Sequence, residues 1–597
     1  VSKSNKRVIV KESTGRKIIE QSRVRLWCVA LFFLLCFISI GIRMIDVAVF
    51  NKHASQTIAV SNPDNEDEVD QVQLPSTEVQ LQRGNIVDRN GMLIATSLMT
   101  ASVFVNPREL RDREEAANKL ARTLGIDRNY LQKRLASNKS FVWIKRNLSP
   151  REQQAVNSLG IPGLYFLPEE KRVYPYGNML SHVLGYVGID NKGLAGIEKQ
   201  YDGRLRDTAL NYDPLELSID VRLQAIMHEE MRKSMTQFKA IGAIGMILDL
   251  RSDELLSMVS LPDFDPQKPG TATDDARFNR ATLGAYEMGS TFKSFTMAMA
   301  LDAGTATMKS SYNTVDQFKM ASFVIHDDHP AKRWLTLPEI YAQSSNIGTA
   351  RIALECGTKR QKEFLKKMGM MDPVDIELPE KSTPLFPSEW KDISTVTISY
   401  GHGISVSPLH LVRGIAALVN GGVLPRITLL KNGDKDKAQG PQVISDKTSD
   451  NIRRLMRLVV KHGTGSKADV QGYRVGGKTG TAEKIRASGK YDGNAKIASF
   501  VSVFPIDNPR YIVLVMIDEP KGDKSTFEFA TGGWISAPVV GRIITRMGPL
   551  LGIRPEYDVP GDDAEKFWVN DEPTKAQPAI RDNMQAIDKR YIHAATY

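Results

Sequence analysis

Between Leu26 and Ile42 the chain reads LWCVALFFLLCFISIGI, seventeen residues without a charge. A helix of about 20 apolar residues spans the roughly 30 Å hydrocarbon layer of a bilayer, so this run sits near the lower limit for a crossing. The following RMIDVAVF completes the span if Arg43 extends its guanidinium to the headgroups. A buried core helix and a cleaved leader are the competing readings. The run is longer than a usual leader core, and no small-x-small cleavage site follows it cleanly, which favours an uncleaved signal anchor. Residues 1–25 carry eight basic against two acidic side chains, and positive flanks stay on the cytoplasmic side. Everything beyond about residue 46 is then expected outside.

That placement decides what the net charge of +10 means. The first 25 residues hold +6 of it, so a basic, nucleic-acid-binding body has poor support. Of the three cysteines, Cys28 and Cys36 lie in the apolar run and Cys356 stands alone outside it. Neither a disulfide framework nor a cysteine metal site is expected. The nine histidines show no H-E-x-x-H spacing and no close cluster, so no metal is expected.

Two stretches invite a nucleotide-hydrolase reading. Residues 472–479, GYRVGGKT, match the phosphate-loop pattern, and 512–518, IVLVMID, look like the apolar strand whose terminal Asp helps hold Mg²⁺. A phosphate loop follows an apolar strand and opens a helix. Here polar GTGSKADVQ precedes Gly472, and Gly480 stands where the helix would begin, a poor first-turn residue. ATP is also scarce outside the cytoplasmic membrane. The match is one of composition, and Asp518 is expected to end a strand of an antiparallel hairpin.

Residues 48–78 are expected as a linker, because SNPDNEDEVDQVQLPSTEVQ (61–80) is acidic and apolar-poor. RGNIVDRNGMLIATS (83–97) reads as two strands around Asn90-Gly91, a favoured two-residue hairpin turn. Residues 79–214 include the amphipathic REEAANKLARTLG (113–125) but no catalytic cluster, and are expected to form a pedestal or interaction domain. A second domain, 215–556, opens with a strand and a long helix in LELSIDVRLQAIMHEEMRKSM (215–235). GAIGMILDL (242–250) and ELLSMVSL (254–261) pair across Arg251-Ser252-Asp253, and helices dominate from 290 to about 465. IASFVSVF (497–504) and YIVLVMID (511–518) form a late hairpin, and APVVGRIITRMGPLL (537–551) is a closing helix. That order predicts an α+β fold, one antiparallel sheet sandwiched by helices with an all-helical insert. Residues 557–597 are polar and expected to be mobile.

Three short motifs carry the chemistry. In STFK, Ser290 precedes Lys293 by one helical turn, so an amine can reach the hydroxyl. A serine hydroxyl is a weak nucleophile without a base, and Lys293 serves only if burial or a second cation lowers its pKa. A helix N-terminus adds free N–H groups for developing negative charge. SSN (344–346) falls inside the helical stretch LPEIYAQSSNIGTARIALE. There Ser344 could relay a proton between Lys293 and a leaving group, and Asn346 could hold Lys293 and a substrate amide. KTGT (478–481), on a strand edge, offers Thr479 and Thr481 to a substrate carboxylate, Lys478 as charge and Gly480 for close approach of a substrate backbone. The Thr481 and Ser290 N–H groups could together form an oxyanion hole.

Each motif alone also fits a helix cap or a solvated turn, and the chain carries decoys. SEWK (388–391) follows Pro387 without a strong apolar helix, SDN (449–451) reads as an N-cap before IRRLMRLVV, and SYN (311–313) is a third. Order and context set the three motifs apart: S-x-x-K at a helix start, then S-x-N, then a single K-T-G before a terminal hairpin.

That ordered set is the one found in penicillin-binding proteins and class A β-lactamases. Over nearly all of residues 20–550 the chain resembles class B penicillin-binding proteins, membrane-anchored enzymes that cross-link peptidoglycan. The resemblance runs through RGNIVDRNG (83–91), RVYPYGNMLSHVLGYVG (172–188), GLAGIEKQYD (193–202), YEMGSTFKSFT (286–296), SSNIGTARIAL (344–354), YGHGISVSPLHL (400–411) and GKTGTAEK (477–484). It is most similar to the division-specific type, penicillin-binding protein 3, since elongation-specific relatives commonly carry Asp where Asn346 stands. The family usually has Pro where Met288 and Ser294 sit. Arg83, Asp88 and Arg89 are expected to brace the domain junction rather than do chemistry.

The resemblance implies a penicillin-binding/β-lactamase-like transpeptidase domain at 215–556, a pedestal of dimerisation type at 79–214, an anchor at 26–47 in a bacterial inner membrane, and a cytoplasmic tail at 1–25. Ser290, assisted by Lys293, would attack the D-Ala–D-Ala amide of a stem pentapeptide, and Ser344 and Lys293 would protonate the departing D-Ala. A neighbouring stem's amine would then resolve the acyl-enzyme. β-Lactams would acylate the same serine. Asn346 and Lys478 complete the implied catalytic set, Thr479, Gly480 and Thr481 bind substrate, and no cofactor is implied. The implied membrane partner is a polytopic glycosyltransferase of the division machinery. A β-lactamase has little support, because no E-x-x-L-N segment lies between the second and third motifs; IELPEKS (376–382) does not match. An elongation-type enzyme or a carboxypeptidase is the nearer alternative, and a non-catalytic penicillin-binding sensor or division scaffold the remoter one.

Overall fold

GAIGMILD, ELLSMVSL and YIVLVMID are apolar at almost every position, the pattern of strands covered on both faces. The computed structural model places all three in one sheet. The structure describes residues 83–568 apart from 211–212, 321–322, 433–439, 486–490 and 558–562, together with helical positions between 27 and 40 and two short strands at 57–61 and 69–73. The chain divides into two compact units, one holding residues up to 80 and 99–169, the other 81–98 and everything from 170 onward. Residues 170–210, which sequence pattern groups with the pedestal, thus pack with the larger unit.

The sheet of the larger unit has five strands: β1 (Gly242–Asp249), β2 (Glu254–Leu261), β3 (Gly476–Ile485), β4 (Tyr491–Phe504) and β5 (Tyr511–Asp518). Their order is β3-β4-β5-β1-β2, and every neighbouring pair is antiparallel. β3 is therefore an edge strand. Six helices matter to the site: α1 (Val221–Gln237), α2 (Lys293–Asp302), α3 (Leu337–Gln343), α4 (Asn346–Cys356), α5 (Asp446–His462) and α6 (Ser536–Leu550). One face of the sheet packs Ile247, Val513 and Val515 against Met227 and Met231 of α1 and Val540 and Ile544 of α6. The other packs Ile244, Met246, Leu514 and Met516 against Phe295 of α2, Leu455 and Met456 of α5, and the helix Pro408–Val419. Each such side chain contributes about 1.5–3 kcal/mol on burial, so the double cover makes the sheet a stiff support for its edge.

Arg83 lies fully buried in the larger unit, 2.6 Å from Glu198 and 2.7 Å from Asp202. Arg172 donates from Nε to the second Glu198 oxygen at 2.7 Å. Asp88 accepts from the Val221 amide at the start of α1, and Arg89 meets Glu254 of β2 at 3.2 Å. These residues tie the 83–98 segment to the body and hold structure, as expected. The turn between the two strands differs from expectation: Asp88 Oδ1 accepts from the Asn90 and Met92 amides, and of Asn90-Gly91 only the glycine has positive φ. The Asp88 carboxylate, rather than a two-residue turn, closes it.

In the smaller unit the helix Arg113–Leu124 starts at Asp112, which caps the Glu114 and Glu115 amides, and ends at Gly125 with φ 64°. It buries Ala116, Ala117, Leu120 and Leu124 against Leu131, Leu135, Val142 and Ile144. Within the expected linker, Thr57–Ser61 pairs with Val69–Gln73. At the other end, Asp563–Phe567 forms a short turn that buries Ala564 against Leu458 and Ala342, and Trp568 stacks on His462 at 4.6 Å. The expected mobile tail is thus docked at 563–568, because Ala564, Phe567 and Trp568 give it apolar surface to bury. Residues 569–597 and most of the expected anchor lie outside the described residues. No helix among the described residues is long and apolar enough to cross a membrane.

Candidate active site

Ser290 sits on a 3₁₀ turn, Gly289–Phe292, that leads without a break into α2, so Lys293 is the first residue of that helix. Met288 is buried before the turn, and the Ser294 hydroxyl lies 2.7 Å from that of buried Tyr341. The turn is pressed against the edge of β3. A Cβ on Gly480 would lie 2.9 Å from Met288 O, and one on Gly289 only 2.5 Å from Thr481 O, so both positions need glycine. Residues of an antiparallel strand point their N–H and C=O the same way. The Thr481 carbonyl faces Gly289, away from β4, so its N–H lies on the open edge beside the Ser290 turn.

The SSN motif does not lie inside one helix. α3 ends at Gln343, Ser344 adopts φ 62° and ψ 41°, and Ser345 caps α4 by accepting from the Gly348 amide. Asp327, which sequence reading missed, fixes this break. Its carboxylate accepts from Ser345 Oγ at 2.6 Å and from the Asn346 and Ile347 amides at 2.5 and 3.0 Å. The left-handed turn lifts the Ser344 carbonyl and hydroxyl out of the helical ladder and toward α2 and β3.

There they meet two lysines. Lys293 Nζ donates to Ser344 O at 2.5 Å, to Ser344 Oγ at 3.1 Å and to Asn346 Oδ1 at 2.7 Å. Lys478 Nζ donates to Ser344 Oγ at 3.0 Å and to Thr479 O at 3.2 Å, beneath the Tyr341 ring at 5.7 Å. Both lysines are completely buried, and neither has a carboxylate partner among the described residues. Burial pushes Lys293 down to about 7, against a smaller upward pull from Asp327 and Asp328. Burial, then the charge of Lys293, pushes Lys478 well below the ordinary lysine range.

Among the described residues no hydrogen bond reaches Ser290 Oγ, because Lys293 spends its three N–H groups on Ser344 and Asn346. Loss of one proton leaves Lys293 a lone pair, which is what a base for Ser290 needs. The structure brings Lys293, Ser344, Asn346 and Lys478 into one hydrogen-bonded chain, with Thr479 next to it and Gly480 and Thr481 flanking Ser290. The Thr481 hydroxyl accepts from the Gly532 amide at 3.2 Å. Thr464, a second missed residue, places its hydroxyl 2.6 Å from that of Thr479. Its only sequence signal is a Gly-Thr-Gly after a helix and before K-T-G.

The decoys fall elsewhere. Lys391 is exposed and pairs with Glu389, and Ser311–Asn313 is a strand. Ser449 is not a cap: α5 starts four residues earlier at the Ser445 cap, and Ser449 accepts from Gly421. Lys478 lies on an antiparallel edge strand rather than before a helix, which ends the phosphate-loop reading.

A serine one turn before a buried lysine, a second serine bridging two lysines, and a strand edge beside them have the make-up of a serine acyltransferase site. The model of the penicillin-binding protein transpeptidase domain matches residues 243–545, and that of the penicillin-binding protein dimerisation domain matches 78–209. The chain is 38% identical to the probable peptidoglycan D,D-transpeptidase FtsI of Caulobacter vibrioides over 90% of each chain. It is 33% identical to stage V sporulation protein D of Bacillus subtilis, covering 84% of this chain and 82% of that one. With FtsI of Escherichia coli it shares 28% identity over 83% of this chain and 87% of the relative. The crystal structure of a peptidoglycan synthetase from Bifidobacterium adolescentis has the same fold, with a TM-score of 0.62 at 22% identity, over 81% of this chain and 98% of that one. The chain belongs to the class B penicillin-binding proteins of the FtsI type.

Proposed function

We propose that the protein is a serine peptidoglycan D,D-transpeptidase that cross-links stem peptides during septal wall synthesis. The observation that carries this reading is the Lys293–Ser344–Lys478 chain, two uncompensated buried amines joined through one hydroxyl, one helical turn from Ser290. With Lys293 neutral, its lone pair takes the Ser290 proton as Oγ attacks the carbonyl of the penultimate D-Ala. The Ser290 and Thr481 N–H groups receive the oxyanion. The C–N bond then breaks, Lys293 returns the proton through Ser344 to the departing D-Ala amine, and an acyl-enzyme remains. Lys478, Thr479 and Thr481 supply charge and hydroxyls for the terminal carboxylate of the donor. A neighbouring stem's amine attacks the ester, the C–Oγ bond breaks, and the cross-link forms. β-Lactams acylate the same oxygen and stay, because their leaving group is tethered.

The anchor at 26–47 follows from its uninterrupted apolar run and basic flank, and holds the catalytic domain outside an inner membrane beside a glycan-polymerising, polytopic partner. Helical, exposed apolar positions such as Trp27, Phe33 and Phe37 support it. Ser290→Ala is expected to abolish labelling by a fluorescent penicillin while the protein still folds; labelling that survives refutes the assignment. Depletion giving filaments supports a septal role, and round cells an elongation role.

A further inference from the structure

Glu287, three residues before the nucleophile, is buried and receives three hydrogen bonds that the steps above leave unused. His402 Nδ1 lies 2.9 Å from Oε2, the Gly403 amide donates to Oε1 at 2.7 Å, and the Tyr491 hydroxyl donates to Oε1 at 3.2 Å. A carboxylate only accepts, so Nδ1 carries a proton, and whenever the ring is neutral the lone pair is on Nε2. Tyr400 and Tyr491 hold the imidazole edge-on at 5.7 and 5.5 Å, and 26% of the side chain stays exposed. Among the described residues Nε2 makes no hydrogen bond.

The dyad sits on the two segments that lead up to the Ser290 turn. Tyr286 and Val406 exchange both backbone hydrogen bonds, and the Gly289 amide donates to Gly401 O, so 286–289 and 401–406 run side by side up to Ser290. Tyr491 pairs with Ile485, four residues beyond Thr481 along the same edge strand. Burial, then the Glu287 carboxylate that accepts its hydroxyl, push the Tyr491 phenol up. Of the cations nearby, Lys484 is bound to Asp518 and Glu519, and Lys496 stands opposite Glu483 in the ladder. Lys478 thus stands at the end of the strand edge that suits a carboxylate, and the Glu287–His402 dyad at the end left for an amine.

We propose that His402, oriented by Glu287, is the base that takes the proton from the acceptor stem's ammonium in the second half-reaction. The proposal rests on the acyl-transfer reading of Ser290. The ammonium gives one proton to Nε2, and the freed amine attacks the acyl carbonyl. The C–N bond forms, the C–Oγ bond breaks, and the amine's second proton passes through Lys293 and Ser344 to Ser290 Oγ. The imidazolium then releases its proton to solvent. Glu287 is a positioning residue that fixes the tautomer and steadies the imidazolium.

The test uses the full chain, a benzoyl-D-alanyl thioester as donor and D-alanine as acceptor amine, and measures the ratio of aminolysis to hydrolysis beside the rate of penicillin acylation. His402→Gln is expected to lower that ratio by about tenfold or more. Acylation, which precedes the acceptor's arrival, continues. Glu287→Gln lowers the ratio less, and Glu287→Asp, which keeps a carboxylate as the acceptor for Nδ1, restores part of it while acylation stays level. An unchanged ratio in His402→Gln overturns the proposal, as does a fall in aminolysis and acylation by the same factor, which marks a structural role. A wild-type enzyme that fails to acylate sinks the Ser290 reading instead.

Discussion

Among the buried cations of the larger unit, the pair Arg83 and Arg172 and the pair Lys293 and Lys478 are treated in opposite ways. Arg83 and Arg172 close on the two oxygens of Glu198, with Asp202 as a further partner. Burial works against the Arg83 charge, yet Glu198 and Asp202 outweigh it and raise its pKa. Lys293 and Lys478 close on a hydroxyl instead, at 3.1 and 3.0 Å from Ser344 Oγ, and their pKa values fall. A guanidinium does not lose its proton in a protein, so its burial has to be matched by carboxylates. An ammonium does lose it, so unmatched burial turns a lysine into a base. One cluster holds the chain together; the other stores reactivity.

Removing the base tests the contrast most severely. Lys293→Met is expected to slow penicillin acylation by about 10²–10⁴-fold, read from the time course of labelling. The same change leaves the melting temperature unchanged or raises it, since an uncompensated buried cation gives way to an apolar chain. Acylation by the wild type rises as pH increases through about 7, where Lys293 loses its proton. The stability sign follows. The folded-state pKa lies below the unfolded value of about 10.4, so between the two the unfolded chain binds more protons. This group's contribution to stability therefore grows with pH across that window, and Lys293→Met lacks the rise.

The arginine cluster should answer in the reverse sense. Glu198→Gln leaves two guanidiniums facing a neutral amide and is expected to cost about 3–5 kcal/mol, read from the denaturant midpoint. The protein that remains folded acylates at the wild-type rate. A variant that kept its stability and lost its chemistry would erase the distinction between the two clusters.

The difference between the clusters also marks what the sequence could reveal. The Ser290–Lys293 spacing is local, and one helical turn suffices to place the two together. Strands apolar on both faces announced the covered sheet, and Gly480 between two threonines announced a close approach to its edge. The break at Ser344 was hidden because AQSS and NIGTARIALE both read as helix, and its cause, Asp327, acts from outside the stretch. Residues 170–210 fall within the stretch 78–209 that the dimerisation-domain model matches, yet they pack with the larger unit, where Arg172 reaches Gly84 O and Glu198 reaches Arg83 across 88 and 115 positions. Thr464 and the docked Ala564 were missed because their partners, Thr479 on β3 and Leu458 on α5, lie outside their own segments of chain.

The smallest effect separates the clusters at the level of backbone strain. One cation of each pair takes a carbonyl from a residue in the left-handed region, Ser344 O for Lys293 and Asn191 O for Arg83. Asparagine tolerates that region, whereas serine is held there against a cost on the order of 1 kcal/mol. Asn191→Gly relieves little strain and gives up the amide's bond to Glu170, so its net stability change is expected to be near zero. Ser344→Gly relieves more and is expected to raise stability by about 0.5–1 kcal/mol, provided the two amines shed a proton once their shared hydroxyl is gone. Acylation by Ser344→Gly should nevertheless fall, because the path from Lys293 to the leaving group has lost its middle. A Ser344→Gly enzyme both no more stable and no slower would show that the strained turn serves neither charge nor catalysis.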